Sequence, residues 1–139
     1  MRKIDRAQPE PQLSEGDVKK AVADWLQYQE NLGNLISFRL NAGSFILTGP
    51  DGSFRRRVQG AKAGTADYLV IQSGTVQAQY LGQLRGEPHR ICFATFIEIK
   101  STKGKTTKEQ DEFAEKVKKF NCRYYIVKSV TELQEILKL

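Results

Sequence analysis

Glu98 and Lys100 stand two residues apart at the end of the most apolar run in the chain, residues 91–99. If that run is a strand, alternation puts Phe93, Thr95, Ile97 and Ile99 on one face. Cys92, Ala94, Phe96, Glu98 and Lys100 then share the other. A row that otherwise faces a core thus ends in a carboxylate and an ammonium, and burying either alone is expensive. Each must be paired, hydrated or bound to something; a strand end emerging into solvent with an ordinary ion pair is the plain alternative. Asp67 poses the same question. It follows Gly64-Thr65-Ala66, opens a second apolar run and shares a face with Leu69 and Ile71. A turn aspartate capping its own backbone would also explain it. Two carboxylates at the ends of adjacent buried strands, however, make an oxygen-rich pocket for a hard divalent cation. A lysine beside such a cation suits phosphodiester hydrolysis. The metal polarises the phosphate and acidifies a bound water, and the lysine orients water or stabilises developing negative charge.

Two further polar residues fall on inward lines. Gln110 precedes Phe113 and Ala114 on the buried stripe of a helix, although Thr107-x-x-Gln110 is also a capping box that accounts for the glutamine without function. Glu15 lies one turn before Val18 and Val22, where the helix dipole favours an acidic side chain in any case.

The elements that must position these residues follow from periodicity. Residues 1–13, with Pro9 and Pro11, form a disordered or extended tail. From Ser14, which can cap with Asp17, the stripe Val18, Ala21, Val22, Trp25 and Leu26 defines a helix ended by Gly33. Residues 35–40 read as a strand, and the glycine-punctuated stretch through Gly64 as a loop or hairpin. Residues 67–72 are a strand apolar enough to be buried on both faces. Residues 75–81 continue as its hairpin partner, and 82–88 form a basic loop. The long strand 91–100 is followed by a helix over 107–120, with Phe113, Ala114, Val117 and Phe120 inward. A strand over 123–128 and a short helix over 131–137 complete the chain. The order α-β-β-β-α-β-α implies an α/β class with a central mixed sheet, 14–139 forming a single domain.

Composition narrows the function classes. With 139 residues, 40% hydrophobic and 27% charged, the chain can bury a core without staples and is neither membrane-like nor disordered. Nothing approaches the ~20 continuous apolar residues a bilayer requires, and the first residues lack the apolar stretch of a secretory signal. Cys92 and Cys122 are too few for a disulfide scaffold and read as buried thiols of an intracellular protein. The single histidine, His89, excludes a His-rich zinc site and leaves a Ser/His/Asp triad hanging on one loop residue. A net charge of +6 favours anionic partners, nucleic acid first.

The ordered set of residues resembles a known pattern. Asp67 after a Gly-rich loop, then Glu98-Ile99-Lys100 on the next long strand, looks like the PD-(D/E)xK nuclease superfamily and, more narrowly, the VRR-NUC family. The matching stretches are residues 38–43 (Phe-Arg-Leu-Asn-Ala-Gly), 64–71 (Gly-Thr-Ala-Asp-Tyr-Leu-Val-Ile), 96–100 (Phe-Ile-Glu-Ile-Lys) and 104–110 (Gly-Lys-Thr-Thr-Lys-Glu-Gln). With the flanking elements, the likeness runs from Glu15 to about Leu137. One departure is Ala66, where the pattern often has proline. The resemblance implies a restriction-endonuclease-like αβββαβ core, a central mixed sheet flanked by helices. In it Asp67, Glu98 and the Ile99 carbonyl hold Mg²⁺ or Mn²⁺, with Glu15 helping to place a second ion or a water. Lys100 serves the attacking water and Gln110 supports the site. The same resemblance implies structure-selective DNA cleavage of the Holliday-junction resolvase kind, by a stand-alone phage or bacterial protein that is cytoplasmic and, to cut two strands symmetrically, a homodimer.

Arg55, Arg56, Arg57, Lys62, Lys103, Lys105 and Lys108 flank the proposed site in sequence and are the expected phosphate contacts, each equally readable as a solvated surface charge. Tyr124 and Tyr125 are candidates for base stacking, and Arg39 and Asn41 face together on the first strand. A catalytically silent nucleic-acid-binding module with the same fold is the rival from another class. A nuclease for forks, flaps or RNA would share the chemistry.

Overall fold

The structure, a computed structural model, describes residues 12–80 and 83–139. The expected tail therefore lies, through residue 11, outside the described residues. The elements are α1 (Glu15–Asn31), β1 (Ile36–Arg39), β2 (Ser44–Thr48), β3 (Phe54–Gln59), β4 (Tyr68–Tyr80), β5 (Gln83–Ile99), α2 (Lys108–Lys118), β6 (Arg123–Val127) and α3 (Val130–Leu137). Four strands form a mixed sheet in the order β1-β4-β5-β6, and β2 and β3 form a separate hairpin. β1 and β5 both run antiparallel to β4, whereas β6 is parallel to β5 through the α2 crossover.

Local chemistry explains the helix ends. The Ser14 hydroxyl accepts from the Asp17 amide and the Asp17 carboxylate accepts from the Ser14 amide, a reciprocal cap that holds the Asp17 carboxyl below its ordinary pKa. At the other end Gly33 takes φ +76° and donates to the Glu30 carbonyl, while Asn34 donates to that of Gln29, closing a Schellman motif. Val18, Val22 and Leu26 are buried as expected. Ala21 is not; it sits at the edge of the stripe and faces solvent.

The core lies between one sheet face and two helices. Val18, Val22 and Leu26 of α1 and Leu133 and Leu137 of α3 pack with Tyr68, Val70, Ile97, Ile99 and Val127. On the opposite face α2 covers only the β5–β6 half, where Phe113 meets Phe96 edge-on at 5.2 Å and Tyr124 at 6.2 Å. For that reason the expectation of a strand buried on both faces fails for β4: Tyr68 and Val70 are buried, but Leu69 and Ile71 are only half-buried. Cys92 is exposed rather than buried, because β6 pairs with β5 only from Thr95 onward, and Cys122 is half-buried. Phe120 is 75% exposed because α2 ends at Lys118 and the chain turns through Asn121 at φ +57°.

Of the two expected loop regions, the first takes the hairpin alternative and the second is more regular than the sequence suggests. The stretch through Gly64 contains the β2–β3 hairpin. The expected separate hairpin partner at 75–81 and basic loop at 82–88 give way to one long ribbon, β4 with β5, whose pairing extends to Tyr80 opposite Gln83. Val76 pairs with His89 and Ala78 with Arg85, so residues 86–88 oppose a single position. This bulge admits Pro88, which has no amide to give to a ladder. Among the described residues, no helix is long and apolar enough to cross a membrane.

Gly64 connects the fold to the site. It has φ +84°, and a Cβ there would lie 2.5 Å from the Glu109 carbonyl carbon in the first turn of α2. Only glycine lets the loop before Asp67 approach the helix that carries Gln110. Gly33 also has a positive φ, but nothing lies within 4 Å of its virtual Cβ. Gly33→Ala should therefore meet only the left-handed penalty of about 1–2 kcal/mol. Gly64→Ala should add a steric cost of about 1–3 kcal/mol more. Urea midpoints at unchanged slope measure both, and equal losses would remove the packing argument.

Candidate functional site

The register of the two central strands brings the carboxylates together. Tyr68 pairs with Ile97, so one further step sets Asp67 opposite Glu98 on the α2 side of the sheet. The Asp67 carbonyl accepts from the Leu40 amide at 2.8 Å, which ties the end of β1 to the same point. Its carboxylate is divided between two partners: Oδ2 accepts from the Ile99 amide at 2.8 Å, and Oδ1 lies 3.3 Å from Lys19 Nζ. Lys100 donates its amide to the Val127 carbonyl, fixing the end of β5 against β6. The amide and carbonyl of one strand residue point to the same side, so the Ile99 carbonyl is turned toward Asp67.

Glu98 and Lys100 are 3% and 9% exposed, which rejects the solvent-exposed ion pair. Lys100 Nζ lies 3.0 Å from Glu98 Oε1, and Gln110 Nε2 donates a short hydrogen bond to the same oxygen. Burial pushes the Glu98 carboxyl above its ordinary pKa, the bond from Lys100 opposes the rise, and the charge of Asp67 adds to it. The two readings of Gln110 are both satisfied. Its Oε1 accepts from the Thr107 amide at 2.9 Å as a cap, leaving the amide nitrogen for Glu98.

Glu15 reaches the site through a residue that sequence reasoning passed over. Lys19 Nζ lies 2.8 Å from Glu15 Oε1 as well as 3.3 Å from Asp67 Oδ1. Burial works against the Lys19 charge, but the hydrogen bond to Glu15 and the charge of Asp67 outweigh it and raise its pKa. Its signal in the sequence is only the spacing of four from Glu15, which any solvated helix face can show.

These side chains line one cleft of about 330 Å³, together with Arg39, Asn41 and Phe45. None of the seven expected phosphate contacts lines it. Arg55, Arg56 and Arg57 lie on exposed β3, where pairing of Ile46 with Arg57 and Leu47 with Arg56 splits the run between two faces of the hairpin. Lys105 lines a separate surface cavity with Lys128 and Glu132, and Lys108 pairs with Glu112 at 3.7 Å. Lys62 and Lys103 are exposed. Tyr124 is half-buried against Phe113 with its hydroxyl unpaired, and burial with the nearby Glu98 and Asp111 charges drives that hydroxyl's pKa up.

The Asp67 and Glu98 carboxylates and, beyond Lys19, the Glu15 carboxylate line the cleft, and strand geometry turns the Ile99 carbonyl to the Asp67 side. That set suits a hard divalent cation and no soft one. Among the described residues no three acidic, histidine or cysteine side chains converge closely enough to form a metal group by themselves. The carbonyl would have to contribute. Compared with protein-family models, curated proteins and solved structures, the chain gives no match.

The raised Glu98 pKa has a definite sign for folding. The folded state holds the Glu98 proton more tightly than the unfolded one, so this stabilisation is full below the unfolded value near 4.3 and is lost as pH rises through the folded value. Unfolding midpoints of wild type and Glu98→Gln in EDTA should therefore diverge as pH rises above the ordinary carboxylate value of about 4.3, with wild type losing ground. A constant difference would show that Glu98 carries no net shift.

Proposed function

We propose that the chain is a divalent-metal-dependent nuclease that hydrolyses phosphodiester bonds, with a restriction-endonuclease-like core of the VRR-NUC kind. The observation that carries the reading is the convergence of Asp67, Glu98, Lys100 and Gln110 on one cleft at the end of two paired central strands. Mg²⁺ or Mn²⁺ held by Asp67, Glu98 and the Ile99 carbonyl would supply Lewis-acid polarisation and an acidified water. The chain's own residues do the rest. The Ile99 amide fixes one Asp67 oxygen and Lys19 meets the other, so the carboxylate is held in one orientation at the cleft. Gln110 and Lys100 together orient Glu98, which in a low-dielectric setting keeps its donor oxygens from wandering. Lys100 holds its ammonium on the water side of the phosphate and stabilises the negative charge that develops there.

The substrate is DNA, with branched structures of the Holliday-junction kind favoured by the family resemblance, and a homodimer would present two such sites for paired cuts. Exposed Arg55 and Arg57 on the β2–β3 hairpin supply phosphate contacts away from the cleft.

Labelled four-way junction, fork, linear duplex and single strand should be incubated with Mg²⁺, Mn²⁺ or EDTA. Cutting that requires metal and is abolished by Asp67→Asn is the expected result, with Lys100→Met slowing it by at least about a hundredfold. Binding without cutting on every substrate would instead favour the silent binding module, and cutting that survives Asp67→Asn would misplace the site. Replacing Arg55 and Arg57 with Gln should weaken DNA binding across all sequences and flatten the salt dependence by about one unit of slope for each phosphate no longer neutralised. An unchanged slope would take the hairpin out of the interface.

A further inference from the structure

The Glu15 and Asp67 carboxylates face each other across the mouth of the cleft, and the object between them is an ammonium. Lys19 Nζ touches an oxygen of each, at 2.8 and 3.3 Å, and comes from the same helix as Glu15. This bridge is distinct from the inner pair. Glu98 and Lys100 lie deep, with side chains 4% and 11% exposed, whereas Glu15, Asp67 and Lys19 lie nearer the solvent at 42%, 25% and 38%. The cleft thus has an inner oxygen set, formed by Glu98, the Ile99 carbonyl and Asp67, and an outer set, formed by Asp67 and Glu15, with Asp67 common to both. Two oxygen sets that share one carboxylate offer positions for a pair of divalent ions.

We infer that the Lys19 ammonium occupies the outer cation position, so that this protein holds one divalent ion, at the inner set, and not two. The assignment rests on the metal-dependent reading of the cleft given above. Its physical basis is exclusion. A divalent ion on the outer set would need the same Asp67 and Glu15 oxygens at about 2.0–2.1 Å, and it would stand against a positive charge already hydrogen-bonded to both. An ammonium provides a single charge, three rotatable donors and no coordination sphere. It neutralises the outer carboxylates and leaves the inner oxygens to their own partners, Lys100 and Gln110 on Glu98 Oε1 and the Ile99 amide on Asp67 Oδ2. Lys19 also has a stem long enough to remain on α1 while its head bridges helix and sheet, so the outer position is filled by the chain's own cation. On this account Glu15 serves to hold Lys19, and through it Asp67, rather than to ligate an ion directly.

The test counts bound Mn²⁺ on the full chain without DNA, by the loss of the free-ion paramagnetic resonance signal on titration. Wild type should bind one ion per chain. Lys19→Met and, as a hydrogen-bonding neutral alternative, Lys19→Gln should each bind two, and adding Glu15→Gln to either should return the count to one. Circular dichroism and the unfolding midpoint establish that each variant is folded; both positions are partly exposed, and either Lys19 variant alone suffices for the count. Two ions in wild type, or one in a folded Lys19 variant, would overturn the assignment while leaving the nuclease reading intact. No bound Mn²⁺ in wild type at millimolar ion would overturn the metal-dependent reading itself, and the assignment with it.

Discussion

A carboxylate and an ammonium held almost out of water at the end of the central strand are the constraint to which the rest of the structure answers. Glu98 and Lys100 are on the same strand face, and neither could be buried there without the other. Such a pair is a poor source of stability, because the desolvation of two charges consumes most of what their attraction returns. An apolar pair of the same volume would serve the fold as well. The surroundings are nonetheless arranged to keep this pair in one geometry. Gln110 uses half of its amide to cap α2 and the other half to hold Glu98, so the start of that helix and the carboxylate are placed by the same side chain. Gly64 admits the turn of α2 that makes this arrangement possible. Asp67 is pinned by the Ile99 amide of the strand that carries both charges. A local cost borne at several independent positions is the usual mark of a site rather than of a scaffold.

How much of this was legible in the sequence depends on how local the cause was. Asp67, Glu98 and Lys100 could be read because a strand has period two, so a polar residue in an apolar row declares its face without any tertiary knowledge. Gln110 and Glu15 could be read because helical spacing puts them on lines with buried residues. Lys19 could not. On α1 it lies on the flank of the apolar stripe, where lysines normally reach solvent, and only the approach of Asp67 from a strand far along the chain gives it a second partner. Where a decision needed the third dimension, the pattern failed. Phe120 looked inward by periodicity, but the helix ended before its turn. Cys92 looked buried by composition, but the neighbouring strand is too short to cover it. The arginines at 55–57 formed one cluster in the sequence and two groups in the hairpin, since consecutive strand residues point to opposite sides.

The same geometry leaves one sheet face unevenly covered. α2 packs over β5 and β6 and goes no further, so Ile36 and Phe38 on edge strand β1 remain about half exposed beside the half-buried Leu69 and Ile71. A single helix is about 10 Å wide and covers about two strands set at roughly 4.8 Å spacing, and those two are β5 and β6. The length of α2 is in turn fixed at its start by the Thr107–Gln110 cap and at its end by the turn through Asn121. The position of the site and the openness of that face therefore follow from the same short helix.

Charge distribution gives a second view of the cleft. The chain as a whole is basic, at +6, yet the cleft is lined by three carboxylates, Glu15, Asp67 and Glu98, against three cations, Lys19, Arg39 and Lys100. The lining is balanced within an otherwise positive body. A polyanion drawn to the exposed basic residues would thus meet a cleft that neither repels nor holds it until a cation is added. A divalent ion added there would tip the lining to a net of two positive charges. A balanced lining needs no added charge to hold its shape. Electrostatic preorganisation of this kind places the cost of assembling the charges in folding.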